Sequence, residues 1–250
     1  MKISVCLATY NGEAFLEEQL CSIISQLGTE DEIIISDDFS TDSTASIIHS
    51  FNDTRIKYIL NQTKTHSPVS NFQNALEYAT GDIIFLSDQD DIWLPSKVEK
   101  CIKALDSADL VLHDAIVVDK FLVCVSKSLF SLRHVKRGYI ANLYKNSYIG
   151  CCMAFKKNVI NYVLPFPKRT PMHDVWIGLN AELLGKVSFI SEPLIMYRRH
   201  GNNASNTVGK SNMSIYYQFN YRLILLINTL MNLFTKRNRK IHFYNIAGLI

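Results

Sequence analysis

The alternation of short apolar runs with helically spaced segments constrains this chain more than any other feature. Ile3 to Ala8, Glu32 to Ser36, Ile56 to Leu60 and Ile83 to Leu86 are rich in β-branched residues and too short for helices, so they read as strands. Between them, Ala14 to Leu27 carries Leu16, Leu20, Ile23, Ile24 and Leu27 at helical spacing. Ser43 to Phe51 follows the capping oxygens of Ser40, Thr41 and Asp42, and Asn71 to Ala79 reads as a third helix closed by Gly81 at its C-terminal cap. Such an alternation predicts an α/β fold with a largely parallel sheet covered on both faces. The second half is less regular. Leu110 to Val118 and Ile149 to Phe155 are strand-like, His173 to Leu184 is a helix, and short strands are expected at Val187 to Ile190 and Leu194 to Tyr197.

Polar residues gather where the strands end. Thr9-Tyr10-Asn11, Asp37-Asp38 and Asp88-Gln89-Asp90-Asp91 each follow the carboxyl end of an expected strand, where open α/β sheets bind ligands. Three carboxylates within four residues repel one another, and a hard divalent cation, Mg²⁺ or Mn²⁺, on Asp88 and Asp90 would relieve this. The alternative is a solvated acidic turn that caps the helix starting near Pro95. Asp37 and Asp38 could accept a pyrimidine N3–H or a ribose hydroxyl, or simply cap the next helix. Neither GxGxxG nor GxxxxGK[ST] occurs, so a nucleotide would have to be held in another way.

Composition sets the outer limits. The 250 residues, 48% hydrophobic, can bury a full core, and 26 basic against 23 acidic side chains give a formal charge of +3, too little to argue for nucleic acid. Six cysteines form no CxxC pair, which suits buried free thiols in a reducing compartment. The N-terminus enters a strand directly, so export is not expected. From Ser214 to Phe234 the composition changes, and Lys236, Arg237, Arg239 and Lys240 follow. At helical spacing Ile215, Phe219, Leu223, Leu226, Leu230 and Phe234 share one side, with Gln218, Arg222, Thr229 and Asn232 on the other. That pattern suits a helix lying at a membrane surface, or one packed on the domain or in a dimer.

Five motifs in order, ISVCLATYNGEAFLEEQLCSI, IIISDDFSTDST, GDIIFLSDQDDIW, MHDVWIGL and YRRHGNN, resemble the family 2 glycosyltransferases with the GT-A fold, over roughly Met1 to Ser205. The SDQDDxW and HDxW forms resemble bacterial enzymes that assemble surface polysaccharides such as O-antigen and capsule. The resemblance implies a GT-A domain over 1–205, with a nucleotide-sugar-binding half at 1–110 and an acceptor-binding half at 111–205, followed by an amphipathic, basic segment at 206–250. It further implies that Thr9, Asn11, Glu13, Asp37 and Asp38 hold the donor nucleoside, that Asp88 and Asp90 bind Mn²⁺ or Mg²⁺, and that Asp174 is the catalytic base. Arg198, Arg199 and His200 match a late loop that meets the donor diphosphate.

The expected partners are a nucleotide-sugar donor, a glycan or polyprenyl-diphosphate-linked acceptor and a membrane surface, with the enzyme peripheral on the cytoplasmic face. A UDP-hexose such as UDP-glucose is the favoured donor, with dTDP-rhamnose as the alternative. Phe39 departs from the commoner pattern, which has glycine after the paired aspartates, and His173 stands where an acidic residue often precedes the base. Asp174 could also be an N-cap. A metal-dependent phosphohydrolase and a catalytically silent assembly subunit are the competing classes.

Overall fold

The computed structural model describes residues 1–63, 66–201 and 214–247. The elements are β1 (Ile3–Thr9), α1 (Leu16–Ile24), β2 (Glu32–Asp37), α2 (Thr44–Ser50), β3 (Ile56–Leu60), α3 (Pro68–Glu77), β4 (Ile83–Ser87), β5 (Ile92–Trp93), α4 (Lys97–Leu105), β6 (Leu110–Asp119), β7 (Cys124–Ser126), α5 (Leu129–Arg133), α6 (Tyr139–Tyr144), β8 (Met153–Lys156), α7 (Ile160–Val163), α8 (His173–Leu184), β9 (Val187–Arg199) and α9 (Ile215–Ala247). Among the described residues the strands form one sheet in the order β3-β2-β1-β4-β8-β6-β9-β5, with β7 on β6. The four N-terminal strands are parallel, and β6 and β9 are parallel to each other, while β8 runs antiparallel between β4 and β6. Because β8 pairs with both, the 1–110 and 111–205 halves share a single sheet. The expected boundary at 205/206 lies outside the described residues.

The parallel strands are buried on both faces, which is why Ile33, Ile34 and Ile35 follow one another without polar alternation. Their register sets the site: Thr9 lies opposite Asp37, and Leu7 opposite Ser87, so the carboxyl ends of β1, β2 and β4 are side by side.

At the opposite end of these strands Glu32 is 2% exposed. It accepts from Ser4 Oγ (2.5 Å), Lys57 Nζ (2.6 Å), Thr80 N (2.8 Å) and Lys2 Nζ (3.0 Å). Burial raises its pKa, but the bonds from Lys57, Ser4 and Thr80 together outweigh that and hold it well below the usual carboxylate range. A depressed carboxylate adds stability above its unfolded pKa and loses it as pH falls towards the folded value. Glu32→Ala should therefore cost about 2–3 kcal/mol at pH 7, less than a fully desolvated pair because both lysines reach solvent. Urea unfolding should show the gap narrowing below about pH 4; a gap constant with pH would overturn this role.

Several local expectations are corrected. α3 ends at Glu77, and Gly81 is instead a point of close approach: a Cβ there would lie 2.6 Å from Ser4 N. Gly150 to Cys152 form a 3₁₀ turn before β8, since Gly150 abuts His173 Nε2, which would lie 2.7 Å from an added Cβ. The two short C-terminal strands run as one, with irregular pairing near Asp114. Two of the cysteines, Cys21 and Cys124, are exposed rather than buried.

α9 docks against α8 and α6. Leu225 packs with Val175 and Leu179, Thr229 Oγ1 meets Tyr139 OH at 2.6 Å, and Asn232 Nδ2 donates to Tyr162 O and Asn180 Oδ1, both at 2.6 Å. No described helix is long and apolar enough to cross a membrane.

Candidate active site

The loops after β1 and β2 hold each other. Asp37 Oδ1 accepts from Thr9 Oγ1 (3.0 Å) and Ser40 Oγ (2.5 Å), and its Oδ2 accepts from Ser40 N and Tyr58 OH, both at 3.0 Å. Asn11 Oδ1 accepts from Thr41 N at 2.8 Å, and Glu13 Oε2 from Ser43 N at 2.9 Å. Thr9, Asn11, Glu13 and Asp37 thus shape the walls of the crevice. Asp38 is also buried, with Asn61 Nδ2 at 3.1 Å; burial raises its pKa, partly offset by Asn61 and by His66. Phe39 adopts a φ of +63°, the left-handed region that glycine enters freely, which explains why glycine is the commoner choice after such paired aspartates.

Periodicity and motifs do not single out Asn71. Its Nδ2 donates to Thr9 O at 3.0 Å, while its buried Oδ1 has no hydrogen-bond partner among the described residues. Tyr10 and His66 meet at a tilt of 47° with ring centroids 4.7 Å apart.

The acidic turn after β4 is held from both sides. Gln89 bonds Tyr10 N (2.8 Å) and Tyr10 O (3.0 Å), and Gly12 admits it, since a Cβ there would lie 2.5 Å from Gln89 Oε1. Asp90 Oδ2 lies 2.8 Å from His200 Nε2. Asp91 Oδ1 accepts from Arg198 N at 3.0 Å, and its buried Oδ2 meets no better donor than the Cys151 thiol. One atom each from Asp88, Asp91 and Cys151 lie within 4.8 Å of one another. Burial, then Asp90 and Asp174, push Asp88 up to about 7, and Asp91 is raised well above the usual range by burial, Asp90 and Asp88. Lys97, fully buried, donates to Cys151 O at 2.9 Å and sits 4.0 Å over the Trp93 ring.

These residues fit a divalent cation. Carboxylates that raise one another's pKa and a buried unmatched oxygen mark a local excess of negative charge. Burial and the neighbouring carboxylates keep the Cys151 thiol protonated, so the oxygens of the acidic turn, with the His200 imidazole beside Asp90, are the better donors for Mg²⁺ or Mn²⁺.

Asp174 opens α8, where Gly178 lets the Tyr148 ring pack directly against the helix, and Tyr148 OH donates to Glu182 Oε1 at 2.8 Å. Asp174 Oδ1 accepts from Val175 N at 2.7 Å. Burial raises its pKa to about 6, against the amides of Val175 and Gly150 and the charge of Arg133. It also raises the pKa of Asp88, which links the first turn of α8 to the acidic turn electrostatically. His173 stacks on Phe72 at 4.0 Å, and burial lowers its pKa to about 3, so it is neutral.

Arg198 is 3% exposed and ties the end of β9 to the site's frame. Its guanidinium donates to Asp90 O (2.9 Å) and Glu18 Oε2 (2.5 Å) and lies 4.5 Å from the Phe15 ring. His200 lies against the same ring, tilted, with centroids 4.9 Å apart. Arg199 lies opposite Asp119 in the β6–β9 ladder, and Asn202 and Asn203 of the motif lie outside the described residues. Asp114, within β6, holds the start of α5, accepting from Ala115 N, Phe130 N and Ser128 Oγ.

With this geometry, comparison with known proteins is direct. The chain is 25% identical over 215 residues to an uncharacterized glycosyltransferase of Nostoc sp., covering 81% of this chain and 66% of that one. It is 26% identical over 188 residues to the UDP-Glc:alpha-D-GlcNAc-diphosphoundecaprenol beta-1,3-glucosyltransferase WfgD of Escherichia coli, covering 71% and 69%. The chain thus spans about two thirds of the length of these relatives. The crystal structure of S. aureus TarS 1–349 in complex with UDP-GlcNAc superimposes with a TM-score of 0.71 at 20% identity, covering 91% of this chain and 67% of that one, which establishes the shared fold. The family described as Glycosyl transferase family 2 matches residues 4–164, and the chain belongs to it.

Proposed function

We propose that this protein is a metal-dependent, inverting glycosyltransferase that moves a hexose from a nucleotide-sugar to a polyprenyl-diphosphate-linked glycan in bacterial surface polysaccharide synthesis. The observation that carries this reading is the carboxylate cluster at the carboxyl end of β4, where atoms of Asp88, Asp91 and Cys151 lie within 4.8 Å of one another, in a chain that belongs to family 2. Asp174, buried at the start of α8, is the candidate base for a single displacement. The names of the curated relatives, which include a UDP-glucose-dependent enzyme acting on a diphosphoundecaprenol-linked sugar, support the substrate class.

In this reading residues 1–110 bind the donor. Asp38 and the open Oδ1 of Asn71 receive the base and ribose, within walls set by Thr9, Asn11, Glu13 and Asp37. Asp88 and Asp90 hold the cation, with His200 alongside, and Arg198 and Arg199 steady the loop that presents it. When bound, Mn²⁺ or Mg²⁺ offsets the charge of the departing diphosphate. Asp174 accepts the proton of the acceptor hydroxyl as its oxygen bonds to the anomeric carbon and the bond from that carbon to the diphosphate oxygen breaks. The nucleoside diphosphate leaves from the opposite face, so the configuration inverts. Asp174 must be ionised, so turnover should rise with pH through about 6 and then level off.

UDP-hexose is the favoured donor. dTDP-rhamnose is the alternative, because uracil and thymine present the same N3–H and carbonyls to Asp38 and Asn71. The test is nucleotide release by the purified protein across UDP- and dTDP-sugars, with Mn²⁺ or EDTA, in the presence and absence of a sugar-diphosphate lipid. Release that needs both metal and acceptor supports the proposal and identifies the donor. Inorganic phosphate as product would favour a phosphohydrolase, and absence of nucleotide binding a silent assembly subunit.

A further inference from the structure

α9 docks through a mixed face. A surface helix ordinarily buries its apolar stripe, yet here Leu225 shares the inward side with Thr229 and Asn232, which hydrogen-bond to Tyr139, Tyr162 and Asn180, while Arg222 at the rim donates from Nε to Tyr144 O at 3.0 Å. The outward stripe is apolar: Phe219 and Phe234 are each 63% exposed, with Leu223, Ile227 and Leu230 between them. α6 continues this surface. Ile140 and Tyr144, one turn apart, are 74% and 71% exposed, and the Arg222 guanidinium lies 4.7 Å from the Tyr144 ring, joining the two helices. Large exposed apolar patches mark interaction sites.

The charge around the patch selects the partner. No Asp or Glu follows Glu192 in the sequence, and exposed Lys136 and Lys145 flank α6. A two-fold pairing of this face with a second copy would bring the same basic residues together with no carboxylate from α9 to oppose them. Anionic head groups above an acyl layer match both the charge and the aromatic side chains.

We propose that α6 and the outward stripe of α9 form one docking surface for an anionic lipid bilayer, with α9 lying in the plane of the interface. This deepens, and rests on, the reading of a membrane-borne acceptor. It also gives the mixed docking face a purpose: Leu225 and the polar contacts fasten α9 to α8, the helix that bears Asp174, and leave the exposed apolar side for lipid.

The test is co-sedimentation of the full chain with vesicles of phosphatidylcholine, alone or mixed with phosphatidylglycerol. The wild type should bind the mixed vesicles and not the neutral ones. Phe219→Glu combined with Leu223→Glu should lower the bound fraction about tenfold, and Ile140→Glu, on the other helix, several-fold, each with an unchanged thermal transition. Tyr78→Glu, at an exposed position on the C-cap of α3, should leave binding intact. Absence of wild-type binding, or equal binding by all variants, would overturn the proposal. A dimer seen by light scattering that the same substitutions dissolve would replace it with self-association. Transfer to a water-soluble, short-chain sugar diphosphate is measured in parallel and should match wild type in every docking variant. Vesicle binding without any such transfer would count against the enzymatic reading alone.

Discussion

Asp174→Asn is expected to lower the turnover rate about 10³-fold, within the range that a positioned general base supplies, while donor affinity changes by less than about twofold. The amide keeps the size of the side chain and its oxygen can still accept from Val175 N, so α8 should start in the same place. What is lost is the lone pair that takes the acceptor proton. His173 cannot substitute, because burial holds it neutral with its ring against Phe72, away from hydroxyl chemistry. Calorimetric titration with the nucleoside diphosphate and Mn²⁺, beside steady-state transfer, separates the two quantities. Turnover within tenfold of wild type would remove Asp174 from the role of base.

Asp88→Asn is expected to produce opposite changes in activity and stability. Metal-dependent transfer should fall at least about 100-fold, since a neutral amide is a weak ligand for a hard cation. In metal-free buffer the same variant should be more stable. The sign follows from the raised pKa: folded Asp88 retains its proton up to about 7, whereas in the unfolded chain it ionises near 4. Wild-type stability therefore drops as pH rises between these values, and the asparagine variant escapes that loss. Asp88 is partly exposed, so solvent screening reduces the gain to about 1–2 kcal/mol at pH 8. Thermal melting with EDTA and with Mn²⁺ reads both effects: Mn²⁺ should raise the wild-type transition and leave the variant's nearly unmoved. A variant less stable than wild type in EDTA would show that the Asp88 carboxylate is part of the frame.

Much of the first half was legible in the sequence because parallel strands buried on both faces leave an unbroken apolar signature. Ile3 to Ala8 and Glu32 to Ser36 fall within strands one residue longer, and His173 to Leu184 coincides with α8. Gly81 was misread because a glycine can end a helix or make room for a neighbour, and only the partner, Ser4, distinguishes the two. At the candidate site the acidic turn and Asp174 were visible as carboxylates near strand and helix ends. Asn71 and Lys97 were invisible, since a polar residue in a helical pattern reads as solvated until its burial is known. Arg198 carried the opposite error of emphasis: an arginine beside a histidine suggests phosphate, whereas its burial against Glu18 and Phe15 makes it a frame residue.

The sequence by itself determined the alternating strands and helices, the clustering of polar groups at strand ends and the amphipathic spacing of the last helix, because all three depend on periodicity along the chain. Only the tertiary structure decided which of those groups meet. Asp88 senses Asp174 across 86 positions of chain, β8 enters antiparallel between β4 and β6, and α9 turns Thr229 and Asn232 inward beside Leu225. The physical reason is the same in each case: hydrogen bonding and desolvation depend on what lies opposite in space, and a local pattern carries no record of its partner.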